Sequence, residues 1–175
     1  NPDFWGGFSN TVSYRGFDLS FMFQFVYGND MYNHSFQWQA AGLRWEDNHA
    51  LYYYENFWKE PGDDAYFPQP RLYQSNGYGT SSMQIFDASY IRLKDLTFGY
   101  TLPNRWVQRA NMDMVRVFVR GYNLLTFTNY PGYDPETSSP NTADVGTQSN
   151  NIQQGWDFFT APQPRTITFG LNLSF

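Results

Sequence analysis

The chain has 175 residues, of which 21% are aromatic and only 15% charged, with a formal net charge of -5 and a mean hydropathy of -0.60. No stretch approaches the roughly 20 consecutive apolar residues of a membrane-spanning helix, and the acidic balance lacks the clustered basic surface that a nucleic-acid partner requires. Soluble domains carry about 25% charged residues, so this composition points to strands that alternate a lipid-facing apolar residue with a polar one.

In chain order, Phe4 to Tyr14 places Phe4, Phe8, Val12 and Tyr14 on one parity and Ser9, Thr11 and Ser13 on the other, the period of a half-buried strand. Arg15-Gly16 forms a very short connection. Phe17, Leu19, Phe21, Phe23, Phe25 and Tyr27 then oppose Asp18, Ser20 and Gln24, which completes a hairpin. From Asn29 to about Ser82 the alternation fails, and Gly, Pro, Asn and Asp mix with many aromatics. A connection this long is expected to be functional.

Alternation resumes toward Leu102, with Leu96, Phe98, Tyr100 and Leu102 on one face. Ile91 and Leu93 lie on the opposite parity, which predicts a β-bulge or a change of environment near Lys94. Pro103 stops the strand, and a helical turn is expected around Trp106 to Arg109. A fourth strand starts near Val115. There Val115, Val117 and Val119 are expected to face lipid, while Arg116 and Arg120 face a wet lumen. Asn129 to Pro164 is Pro-, Gly- and Asn-rich with no persistent period and reads as a second surface loop. The last segment, Thr166 to Phe175, alternates without interruption.

Outer-membrane barrels keep short turns on the periplasmic side and long loops outside. Arg15-Gly16 and Pro103 to Asp113 are thus expected to be periplasmic and the two long connections extracellular. Five strands cannot close a membrane barrel, since an open edge would leave backbone groups unpaired in hydrocarbon. The remaining strands are expected outside this chain, and any targeting signal is expected to lie outside it or to have been removed, because residue 1 is Asn with no charged-then-apolar leader after it.

The runs Tyr90-Ile91-Arg92-Leu93-Lys94-Asp95-Leu96-Thr97-Phe98-Gly99-Tyr100-Thr101-Leu102-Pro103, Val117 to Thr128, Pro131-Gly132-Tyr133-Asp134-Pro135-Glu136, and Pro162 through Phe175 together resemble the end of SusC-like (SusC/RagA-type) TonB-dependent outer-membrane transporters. Pro2-Asp3-Phe4 and Gly6-Gly7-Phe8 resemble an upstream strand of the same family. The resemblance implies an all-β fold, the last five or so antiparallel strands of a 22-stranded transmembrane barrel. Residues 1–175 would then be the C-terminal part of that barrel domain, with the plug and earlier strands lying outside them. It further implies the outer membrane of a Gram-negative bacterium, import of an oligosaccharide or peptide, a SusD-like surface lipoprotein as lid, and TonB engaged through a plug and TonB box.

Ile167, Phe169, Leu171, Leu173 and Phe175 resemble the signal read by the barrel-assembly machinery, a role that edge-to-edge strand pairing would serve. Trp38, Trp45, Tyr53 and Trp58 are candidate ligand- or lid-contacting residues, because Trp and Tyr offer apolar faces with polar rims. Packing within the loop is the competing reading for them. Tyr14, Phe17, Tyr27, Tyr100 and Tyr130 are expected in aromatic girdles.

Asp63-Asp64 and Asp134/Glu136 lack the spacing of a calcium loop. His34 and His49 lack that of a zinc site, and no nucleophile motif or phosphate-cradling loop is present. Neither a metal, a cofactor nor catalysis is expected. Cysteine is absent, which removes disulfide frameworks and thiolate sites. Two other readings remain at this point: a barrel with a structural or docking role, and a soluble glycan-binding β-sandwich whose apolar parity packs inward.

Overall fold

Period-2 alternation, broken at Trp5 and Asn10 and at Met22 and Val26, gives two eleven-residue strands, β1 (Phe4–Tyr14) and β2 (Phe17–Tyr27). Arg15 and Gly16 between them both have positive φ, the two-residue turn whose twist matches a hairpin. The computed structural model describes residues 1–40, 42–44, 46, 48–74, 76–77, 79–137 and 155–175. After β2 follow β3 (Asp30–Asn33), α1 (His34–Gln39), α2 (Leu51–Asn56) and β4 (Ile85–Asp87). The chain continues through β5 (Tyr90–Thr101), α3 (Asn104–Val107), β6 (Met114–Thr128), β7 (Trp156–Asp157) and β8 (Thr166–Ser174). It divides into two units: Asn1–Asn29 with Ala88–Asn129 and Pro162–Phe175, and Asp30–Asp87 with Tyr130–Ala161.

The first unit is a five-stranded antiparallel sheet in the order β1-β2-β5-β6-β8. Its register aligns the apolar parity of every strand. Val12 pairs with Leu19, Leu19 with Phe98, Phe98 with Val119, and Val119 with Phe169. Lys94 is left over opposite both neighbours, so the extra residue returns Ile91 and Leu93 to the face held by Leu96, Phe98 and Tyr100. On β6 the matching irregularity carries Asn123 at φ 52, a backbone state that Asn tolerates better than most residues. Strands of 9 to 15 residues suit a tilted membrane crossing of about 9–11 residues.

The apolar face is uncovered. Phe169 is 81% exposed, and Val12, Phe98, Val117 and Leu171 are exposed beside it. This overturns the sandwich reading, which requires these side chains to pack against a second sheet. The expected girdle residues Tyr14, Phe17 and Tyr100 share one row at the hairpin end, with the Phe17 and Tyr100 rings 4.4 Å apart. At the other end Tyr27 stacks on Phe4 at 4.9 Å.

The opposite face is polar. Arg116 donates from Nε to Asp18 Oδ1 (2.9 Å) and from Nη2 to Oδ2 (2.5 Å), while Arg120 Nε donates to Asp95 Oδ2 (2.7 Å). Gly99 lets Arg116 reach over it, since a Cβ there would lie 2.6 Å from both Arg116 Nη2 and Asp18 Oδ1. Gly170 likewise lies under its cross-strand partner Phe118, whose Cζ would sit 2.1 Å from an added Cβ. We predict that Gly170→Ala forces the Phe118 ring aside and destabilises the sheet by about 1–3 kcal/mol. A lower urea midpoint for the folded protein in micelles, with activity at low denaturant retained, is the expected result.

The first long connection is not irregular throughout, contrary to the expectation for Asn29 to Ser82. It contributes β3, α1, α2 and, just beyond, β4, and the second long connection contributes β7. These strands form a small sheet in the order β4-β3-β7, with β3 antiparallel to β4 and parallel to β7. Strands of two to four residues are too short to show a period. The helical turn expected at Trp106 to Arg109 is α3 followed by a 3-10 turn at Gln108–Ala110.

Candidate functional site

The second unit is organised by Asn33. As the last residue of β3 it has extended backbone, and its Oδ1 accepts from Phe36 N (2.8 Å), which caps α1. Tyr53 of α2, Ala40 and Phe67 form the buried core, with Phe36, Phe57 and Met83 packed against them. In the β3–β7 register, Tyr32 lies beside Trp156 and their rings stack at 4.4 Å. On the other face Asn33 lies beside Asp157.

Asp157 is 1% exposed. Tyr130 Oη donates to its Oδ2 (2.8 Å), and Thr160 N approaches its Oδ1 at 3.4 Å. Burial, followed by the hydrogen bond to Asp157, pushes the Tyr130 phenol well above its ordinary pKa, so it remains a donor. This corrects the girdle expectation for Tyr130, which is a buried residue of this unit. The backbone N–H of Phe159 donates to Ser35 Oγ (2.5 Å), tying the β7 segment to α1.

A cavity of about 380 Å³ opens here, lined by Asn33, Ser35, Phe36, Gln39, Tyr52, Pro131, Gly132, Tyr133 and Asp157. Phe36 and Tyr52 form one wall, their rings stacked at 5.4 Å. Burial pushes the Tyr52 phenol up to about 12, so it is neutral at any physiological pH. No Lys, Arg or His is among the lining residues.

Of the aromatic candidates, Trp38 is half-buried and lines a second depression with Gln39, Asn48 and Phe159. Its Nε1 donates to His34 Nε2 (3.2 Å). Trp58 is half-buried and donates its backbone N–H to Phe67 O (2.9 Å). Tyr53 is corrected outright: at 2% exposed it belongs to the core and cannot meet a ligand without unfolding. Trp45 lies outside the described residues. Asn33 and Asp157 carried no signal in the sequence beyond the helix-capping tendency of Asn, because β3 and β7 bring them together from 124 positions apart.

The carboxylates have local work. Asp63 Oδ2 accepts from the backbone of Lys59 (2.9 Å) and Glu60 (3.0 Å), and these donors hold its carboxyl below the usual range. Asp134 Oδ1 accepts from Glu136 N (2.9 Å). No group of three His, Asp or Glu converges as a metal set among the described residues.

His34 packs between Trp156 (4.9 Å) and Phe158 (4.8 Å), and burial lowers its pKa from 6.5. A depressed pKa means that the folded state resists the proton, so stability is present above 6.5 and erodes as pH falls below it. Protonation also removes the acceptor that Trp38 uses. Hydrogen-exchange protection factors across β3 and α1, which divide out the intrinsic slowing of exchange as pH falls, are expected to drop between about pH 7 and pH 5, and His34→Gln is expected to flatten that dependence.

No family model matches the chain. Three curated TonB-dependent receptors of Formosa agariphila do: P3 at 34% identity over 174 residues, P39 at 30% over 180, and P26 at 34% over 190. Each alignment covers 99% of this chain and 16–17% of the receptor. Among solved structures, the RagAB peptide importer in its "closed-closed" state matches with a TM-score of 0.71 at 27% identity. The match covers 100% of this chain and 17% of the importer chain. The "open-open" state matches with a TM-score of 0.62 at 29% identity, with the same coverage.

Proposed function

We propose, from the premise that this chain belongs to the TonB-dependent receptors as a stretch 16–17% of their length, that the complete protein imports a nutrient across the Gram-negative outer membrane. In this reading residues 1–175 are the C-terminal part of the barrel domain, its last five strands out of 22. The second unit is its extracellular loops, and the short connections face the periplasm. The cargo is an oligosaccharide or a peptide, held under a SusD-like lipoprotein lid and released when TonB pulls on a plug through its TonB box. Energy then comes from the inner membrane, and the chain itself carries out no chemistry.

One observation supports this reading above the others. A five-stranded antiparallel sheet has one uncovered face that is apolar apart from Asn10 and one face with ion pairs, Asp18–Arg116 and Asp95–Arg120. Charged pairs are natural against a wet lumen and costly against hydrocarbon, so the two faces suit two different media. Ile167, Phe169, Leu171 and Leu173 share the apolar side of the edge strand β8, and Phe175 follows it, an arrangement that suits recognition by the barrel-assembly machinery. The test is uptake of labelled oligosaccharides and peptides by cells that carry the complete gene, with and without functional TonB. Uptake that requires both supports import; equal uptake without TonB refutes it.

A further inference from the structure

We infer that a trough along β6, on the apolar face of the sheet, holds an acyl chain of an anionic phospholipid whose phosphate meets the arginines of the short connections. The inference rests on the membrane wall of the import reading and adds to it a bound lipid with a preferred headgroup. On the lipid-facing parity β6 carries only small residues, Val115, Val117, Val119 and Gly121. Its neighbours carry large ones. Tyr100, Phe98 and Leu96 of β5 stand opposite Val117, Val119 and Gly121, and Leu171, Phe169 and Ile167 of β8 stand opposite the same three. A floor one strand wide thus runs between two raised walls, with a depression of about 250 Å³ lined by Phe98, Tyr100, Val117, Phe118, Val119 and Phe169.

The length of the trough matches one leaflet. From Val115 to Gly121 the strand rises about 20 Å at ~3.4 Å per residue. Tilted by about 45°, it descends about 14 Å, close to half of a hydrocarbon core about 30 Å thick. Leu124 blocks the inner end, since a Cβ on Gly121 would lie 2.7 Å from Leu124 Cδ1. The other end opens at the connection between β5 and β6. A protein helix is a poor occupant, because its diameter of about 10–12 Å exceeds the spacing of about 10 Å between β5 and β8 before their side chains are counted.

That open end is basic in an acidic chain. Leu102 N donates to Val115 O (2.9 Å) and Asp113 N to Ser174 O (2.8 Å), which hold the α3 connection over the feet of β5, β6 and β8. Thr101 N donates to Gly16 O (2.8 Å), which brings the β1–β2 turn to the same end. The two connections carry Arg15, Arg105 and Arg109 against Asp113, in a chain of net charge -5. Among the described residues, the ion pairs on the polar face engage Arg116 and Arg120 and none of these three. Arg15 lies over the Tyr14 ring at 5.1 Å and Arg105 over the Trp106 ring at 5.6 Å. Both rings are exposed, and exposed Tyr and Trp of membrane proteins sit at the headgroup level. The guanidinium groups are therefore set at the height of the phosphates, which they recognise by forked hydrogen bonds. A zwitterionic headgroup brings its own ammonium to the same cations and is the weaker ligand.

The test uses the complete receptor, delipidated in detergent and followed by native mass spectrometry. The probes are phosphatidylglycerol and phosphatidylethanolamine with the same palmitoyl and oleoyl chains. Phosphatidylglycerol is expected to be held about tenfold or more tightly, and Arg105→Gln with Arg109→Gln is expected to abolish that preference. Val117→Phe, which raises the floor and stays apolar, is expected to weaken both lipids several-fold. Both variants should keep the heat-modifiable gel shift. Equal retention of the two lipids by the wild type, or variants that retain them as the wild type does, would overturn the inference. A photo-reactive group at Leu171 is expected to cross-link to lipid in native membranes, and a protein adduct there would instead assign the trough to a partner. The two claims fail differently. Embedded, heat-modifiable protein without headgroup preference removes the lipid site and leaves the membrane wall, whereas wild-type protein that is soluble without detergent removes both.

Discussion

Val119→Arg is expected to cost about 2–4 kcal/mol of folding stability, the range for arginine near the bilayer midplane on a lipid-facing barrel position. Val119 sits in the row Val12, Leu19, Phe98, Val119, Phe169, and nothing on that face offers a counter-charge. Thr168→Arg is the matched control. Thr168 pairs with Arg120 on the opposite face, beside the Arg120–Asp95 ion pair, where an added guanidinium meets water. The checks are the amount of heat-modifiable protein in purified outer membranes and the urea midpoint in bilayers. Val119→Arg should lower both, and Thr168→Arg should leave both close to wild type.

The second large effect concerns β8. Deletion of Thr166 to Phe175 removes the partner of β6 from Met114 to Tyr122 and leaves a nine-residue stretch of ladder to be satisfied in hydrocarbon. Each unpaired backbone group there costs several kcal/mol, more than the roughly 5–15 kcal/mol that stabilises a typical native fold can absorb. No folded protein should reach the outer membrane. Deletion of Phe175 alone leaves the whole β6–β8 ladder in place, so any loss it causes reports the assembly signal rather than the sheet. An intermediate yield, slow in appearing but normal in heat-modifiability once folded, is the result expected of that variant.

The sheet was legible because period 2 survives wherever one face of a strand meets an apolar medium. The bounds Phe4–Tyr14 and Phe17–Tyr27 follow from alternation and a two-residue turn. The bulge at Lys94 follows from a parity switch between Leu93 and Leu96, which only an extra residue can reconcile with a single apolar face. The second unit was opaque for a physical reason. β3, β4 and β7 are two to four residues long, and β3 pairs in parallel with a segment more than a hundred residues away. Neither fact leaves a local trace.

The aromatics illustrate the same limit. Tyr53 and Trp38 both lie on six-residue helices, yet one is in the core and the other on the wall of a depression, because helix facing and not residue type decides which ring meets solvent. Tyr130 reads from its place next to a strand end as an interfacial residue, whereas its hydroxyl donates to the buried Asp157. The Asn33–Asp157 pair was out of reach of sequence reasoning, since it exists only through the parallel ladder.

In the import reading one face of the five-stranded sheet meets lipid and the other meets water. Spin labels placed singly at Leu19, Phe98, Val119 and Phe169, and at Ser20, Thr97, Arg120 and Thr168, in the complete protein reconstituted into bilayers test it directly. Collision with oxygen should dominate at the first four positions and collision with a water-soluble nickel chelate at the second four. Equal accessibility of both sets to the chelate, or the reverse ordering, would contradict the membrane-wall account.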